Sequence, residues 1–231
     1  MNQQPLPTQY GTYGDTLAVR NRVLRNTYWL LALSMLPTVL GAWLGVQMQF
    51  SPFAGSPMLG FIAFLAIAFG FFYGIERTKN SGIGVVLLLA FTFFMGLMLS
   101  RMIGQILHFS NGAQLIMTAF GGTAIVFATM ASIATTSKRD FSSLSSWLFA
   151  GVIVLLLASV ANVFLQMPAL QIVVSLVAIA IFSAYILFDV QRIVNGGETN
   201  YITATLAIYL DLYNVFANLL ALLGIFGGER E

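Results

Sequence analysis

Three ionisable residues stand inside long apolar runs of this 231-residue chain: Arg101, Asp189 and Asp211. Charged residues make up only 8% of the sequence, so each one placed within an apolar run is informative. An ionised side chain at the centre of a bilayer helix costs roughly 2.5–3.5 kcal/mol on insertion scales. Asp189 lies in SAYILFDVQRI, about a turn before its run ends, and Asp211 in ATLAIYLDLYNVFANLL, roughly ten residues into the next. If both runs are helices, antiparallel and joined by NGGETN, the two depths differ by only ~7 Å at about 1.5 Å per residue. Asn195, Gly196 and Gly197 supply helix-ending chemistry, and Thr199 or Asn200 can cap the following start. The two carboxyl groups are therefore expected to face each other.

Two carboxylates held away from water cannot both ionise cheaply; they share a proton and titrate as a pair. Such a pair can sense pH, help coordinate a hard cation such as calcium, or activate water. Calcium takes about six to eight oxygens, so Asp189 and Asp211 with Asn214 and backbone carbonyls would form a weak site. Weak binding suits passage of an ion better than storage. The plainer alternative is that each aspartate only hydrogen-bonds a neighbouring helix, although acids within the membrane are usually functional.

The last run supports the pairing. Ala204, Ala207, Asp211, Asn214, Asn218 and Ala221 recur at three- and four-residue spacing and share one small, polar face, with Tyr209, Tyr213 and Phe216 pointing elsewhere. A helix with such a stripe lets its neighbours approach closely, which makes the last helix the expected centre of a bundle. Three arginines are candidate counter-charges. Arg192 is one turn from Asp189, and Arg77 ends the second run at the level of the pair. Arg101 lies ~9 Å from the end of its run, within snorkelling reach of the headgroups.

The elements that must position these residues are membrane spans. Hydrophobic residues form 58% of the chain and mean hydropathy is +0.88, whereas a soluble domain carries about 25% charged residues. Seven apolar runs are long enough to cross a bilayer, near 28–46, 57–76, 83–107, 114–134, 145–164, 169–193 and 202–225. None alternates as a barrel strand would. The expectation is an all-α integral membrane protein: a seven-helix transmembrane domain over 20–226, after a disordered polar cytoplasmic tail at 1–19 and before a short tail at 227–231. Asp15 is expected to cap a short basic surface helix reaching to Asn26.

Arg20, Arg22, Arg25, Arg77, Lys79, Lys138, Arg139 and Arg192 fall on one side if the spans alternate; the opposite loops carry no lysine or arginine, and Arg230 alone joins them in the tail. The positive-inside rule then puts the N-terminus in the cytoplasm and the C-terminus across the membrane. A net charge of +2 is too small to imply a nucleic-acid partner. The chain has no cysteine, so it has neither disulfides nor a thiolate metal site, and its single histidine, His108, has no second ligand at metal spacing.

Catalysis finds little support. Asp211 stands in YLDLYN rather than the GxGD of intramembrane aspartyl proteases, and no GxSG is present. Lys79 and Lys138 lie outside the spans, so no intramembrane Schiff base can form. No cofactor is expected beyond a calcium ion.

The ending SAYILFDVQRI with YITATLAIYLDLYNVFANLLALLG resembles the signature of the Bax inhibitor-1, or transmembrane Bax-inhibitor-motif, family. VLRNTYWLLALS, GGTAIVFA, ANVFLQMPAL and GGETNYI resemble its bacterial YccA-like branch, named as modulators of the FtsH protease. The resemblance runs from about residue 20 to residue 225, and the last span is its most specific part. It implies a seven-helix bundle around the final helix and a bacterial inner-membrane location. Relatives with two aspartates in the last two helices are described as pH-sensitive calcium leak channels, and that pair falls on Asp189 and Asp211. In those relatives an arginine of the second helix latches the pair, a role that falls here on Arg77 within the loosely matching IERTKNSG. The YccA-like branch implies instead a non-catalytic partner that slows a membrane-anchored ATP-dependent protease. The two roles are not exclusive.

Overall fold

A computed structural model describes the backbone of residues 10–50 and 57–228 and the side chains of 19–50 and 58–228. Among the described residues there are seven helices and no strand: α1 Tyr10–Gln47, α2 Pro57–Thr78, α3 Gly82–Leu107, α4 Gly112–Thr136, α5 Leu144–Leu165, α6 Pro168–Val194 and α7 Tyr201–Gly227. Every one contains a segment long and apolar enough to span a bilayer, so this is an all-α, seven-span membrane protein.

One expectation changes at the N-terminal end. Helix α1 begins at Tyr10 and runs unbroken for 38 residues, so 10–19 is helical rather than tail and Asp15 lies inside a helix rather than capping one. Nothing between Asp15 and Asn26 breaks a helix, and the basic surface segment and first span merge. Residues 1–9 lie outside the described residues. Pro37 sits within α1 without ending it, as transmembrane helices tolerate.

Helix α7 is the hub, packing against α1, α2, α3, α4 and α6. Around it lies the main core, with Ile75, Leu88, Phe91, Ile186, Val190, Ile208 and Val215 fully buried. The outer faces carry large apolar side chains such as Trp29, Trp43, Trp147 and Phe149, as lipid contact requires. The most extensive interface joins α1 and α3. Gly41 and Gly45 on α1 form a small-xxx-small pair, and Gly96 on α3 answers them. A Cβ at Gly41 would overlap the Phe93 carbonyl oxygen, and one at Gly96 the Thr38 carbonyl oxygen. Backbone-to-backbone approach of this kind is available only to glycine.

The α6–α7 turn closes as its sequence suggested. Gly196 takes a left-handed φ of 78°, and the Gly197 N–H donates to the Arg192 carbonyl at 2.8 Å. Asn200 then caps α7, its Oδ1 accepting from the N–H groups of Ile202 (2.9 Å) and Thr203 (3.3 Å).

Candidate functional site

Helices α6 and α7 run antiparallel from this turn and bring Asp189 and Asp211 together. Asp211 is 5% exposed, and Asp189 is half-buried in the last turns of α6. The two carboxyl groups lie close enough to act on each other directly, and a hydrogen bond between them would require one to hold a proton. The second oxygen of Asp211, Oδ2, is buried and has no hydrogen-bond partner among the described residues. A buried carboxylate oxygen without a donor is costly, and Asp211 is the one acidic or basic side chain among the buried described residues, so this site stands out.

The surroundings are mixed in charge. Tyr185, one turn earlier on α6, is close enough to feel both aspartates, and its ring lies tilted against Phe182 and edge-on to Phe188. Arg192 and Glu198 both act electrostatically on Asp189, and those two residues approach one another at 3.7 Å. Of the three candidate counter-charges, only Arg192 is therefore brought to the pair. Arg77 lies over the ring of Tyr73, one turn back on its own helix, and its Nε donates to the Tyr73 hydroxyl at 3.1 Å. Neighbouring Glu76 pairs with Lys79. Arg101 is exposed on α3, near the opposite end of the bundle.

Asn214 and Asn218 are not turned to the aspartates either. Each side-chain amide donates to a carbonyl four residues earlier on α7, Asn214 to Leu210 and Asn218 to Asn214, both at 2.8 Å. Among the described residues no third acidic or histidine side chain joins the pair in a group able to hold a metal. Two carboxyl groups fall well short of the about six to eight oxygens of a calcium cage. The donor set does not fit a resident ion.

Several structural polar residues were not evident from the sequence. Tyr209 is the largest fully buried side chain among the described residues; its hydroxyl meets Thr38 on α1 at 2.9 Å and the Thr92 carbonyl on α3 at 3.4 Å. A stripe of small residues marks where a helix is approached closely, but a central helix is surrounded on every side and buries its aromatic face as well. Gln191, 4% exposed, ties α6 to the α4–α5 connection, accepting from Phe141 N–H at 2.8 Å and donating to the Arg139 carbonyl at 2.6 Å. Arg20 of α1 donates to the Val194 carbonyl at the C-terminal end of α6, where a cation also suits the helix dipole. Asn200 reaches across to the α2–α3 turn, donating to the Lys79 carbonyl and to Asn80 Oδ1, each at 2.9 Å. The end of the bundle that carries the basic loops is thus laced together directly above the aspartate pair.

Residues 20–228 match the family described as "Inhibitor of apoptosis-promoting Bax1". Among similar proteins, the "Modulator of FtsH protease YccA" of Escherichia coli is 38% identical over 209 residues, covering 90% of this chain and 92% of the relative. An uncharacterised protein of Neisseria meningitidis serogroup B is 37% identical over 212 residues, covering 91% and 93%. An uncharacterised membrane protein of Vibrio cholerae is 36% identical over 221 residues, covering 96% of each. None of these three is named for a catalysed reaction.

Proposed function

The chain belongs to the Bax inhibitor family, and from that premise we propose that it is a non-catalytic, pH-sensitive leak pathway for calcium with Asp189 and Asp211 as its proton- and cation-responsive site. The observation that carries this reading is the meeting of two carboxyl groups on the central helix and its neighbour, one of them with a buried oxygen lacking a donor. Loss of the shared proton would set two negative charges against each other in a poorly hydrated site. Because α7 touches five other helices, a shift of α6 against α7 would be felt through most of the bundle. Calcium here is cargo, drawn by the acidic pair and released because too few oxygens hold it.

The test is calcium flux into proteoliposomes as a function of pH. Wild-type protein should conduct in a pH-dependent manner, and Asp211→Asn should flatten that dependence. An Asp211→Asn protein that keeps both the flux and its pH response would remove the proposal.

A second reading is favoured by the name of the E. coli relative, at 38% identity over most of both chains. This chain would then bind an FtsH-type membrane-anchored protease and restrain its turnover of membrane substrates. Association in detergent extracts, with faster substrate turnover on deletion, is the expected outcome; no association and unaltered turnover would dismiss it.

For either role the proposed orientation is N-terminus in the cytoplasm and C-terminus in the periplasm. Arg20, Lys79, Arg139 and Arg192 all lie at the end of the bundle joined by the hydrogen bonds described above.

A further inference from the structure

A cleft of about 390 Å³ opens between α5 and α6 at the end that carries the basic loops. Its wall descends from Asp140 and Ser142 in the α4–α5 connection, past Ser145 in the first turn of α5, to Phe188 and Arg192 in the last turns of α6. Phe188 lies six residues before the end of α6, so the cleft reaches ~9 Å down the helix. The volume falls within the roughly 300–1,000 Å³ of small-ligand sites.

Two opposite charges line this cleft without meeting. Asp140 and Arg192 form no ion pair with each other, and the one ion pair of Arg192 among the described residues is the long 3.7 Å approach to Glu198. Asp140 is kept anionic: Ser142 donates to it through both its backbone N–H and its hydroxyl, each at 2.9 Å, which holds the carboxyl below the usual carboxylate range. An anion-binding guanidinium and a cation-binding carboxylate thus share one cleft at the end of the bundle that carries the basic loops. Beside it, α5 presents Trp147 and Phe149 with 80% and 65% of their surface exposed, an apolar wall for acyl chains next to an interfacial tryptophan.

We propose that this cleft binds the headgroup of a zwitterionic aminophospholipid, with Arg192 taking the phosphate and Asp140 the primary ammonium. A purely anionic headgroup would leave Asp140 facing a like charge. A quaternary ammonium would keep the attraction to Asp140 but offer it no N–H to accept. The cleft adjoins the aspartate pair, because Arg192 lines it and also acts on Asp189.

The experiment uses the full-length protein in detergent, delipidated and then offered dioleoyl-phosphatidylethanolamine, -phosphatidylcholine or -phosphatidylglycerol. Retained lipid is counted by native mass spectrometry, and Trp147 fluorescence, read in a Trp29→Phe/Trp43→Phe background, serves as a second readout. Phosphatidylethanolamine should be retained in preference to the other two. Asp140→Asn should weaken that preference about tenfold, the worth of one charge-assisted hydrogen bond. Asp140→Glu should restore it in part, which separates loss of the carboxylate from loss of folding. Arg192→Gln should reduce retention of phosphatidylethanolamine and phosphatidylglycerol alike. Equal retention of all three lipids, or a preference that survives Asp140→Asn, would overturn the site. Displacement of the lipid by an equal concentration of soluble O-phosphoethanolamine would overturn the lipid as its source.

Discussion

Asp189 and Asp211 are brought together by α6 and α7 and are proposed to act as one group. Their residue type and spacing were readable in the sequence because an acid in an apolar run has few innocent explanations, and the NGGETN turn fixed the two runs as antiparallel neighbours. The partners were less readable. Arg77 stands at the expected depth, but depth along a helix says nothing about rotation around its axis, and its guanidinium settles on Tyr73 instead. Asn214 and Asn218 share the face of Asp211, yet amides in an apolar setting donate first to the nearest carbonyl, which is one turn back. If the pair is the functional unit, its substitutions should not add: Asp189→Asn, Asp211→Asn and the double variant should give the same pH-insensitive flux in proteoliposomes. Independent, additive losses would mean that the two aspartates work separately.

At the scale of elements, seven spans were legible to within a few residues at most ends, because continuous apolar length is a strong signal in a membrane protein. The exception is α1, where a polar, basic stretch looked like a separate surface helix although no glycine or proline in it breaks the chain between Asp15 and Asn26. Close approach was legible only as composition: the sequence shows many glycines, while the structure shows which ones matter. Gly96 lies where a Cβ would strike the α1 backbone at Thr38, whereas Gly104, on the same helix, has nothing within 4 Å of the place a Cβ would take. Gly96→Ala should therefore destabilise the protein by about 1–3 kcal/mol through overpacking of α1 against α3. Gly104→Ala should be neutral or stabilising by up to about 1 kcal/mol, since it removes only backbone freedom. Unfolding in mixed micelles under increasing denaturing detergent measures both; equal effects would show that the α1–α3 interface yields where it is expected to be rigid.

For the molecule as a whole, membership of the Bax inhibitor family and the seven-span architecture agree with a sequence whose charge is gathered at one end. The proposed sidedness rests on the loops: with seven spans among the described residues the termini are expected on opposite sides, and the basic end is the one expected to face the cytoplasm. Alkaline phosphatase fused after the last residue should be active in the periplasm, and a green fluorescent protein at the same point should be dark. The reverse result would invert the bundle and put the aspartate pair near the outer face. The proposed leak pathway requires a bundle that can change its packing, and the central helix, in contact with five others, is the element through which such a change would pass.

The central claim is that the two carboxyl groups titrate as a coupled pair. Infrared difference spectroscopy of the protein in lipid, stepped through pH, reads carboxyl protonation directly. The wild type should titrate in two separated steps, and either single asparagine variant should show one step at a different pH, because the remaining acid has lost its partner. If the titration of Asp189 is unmoved by Asp211→Asn, the carboxyl groups do not share a proton and no switch of this kind exists.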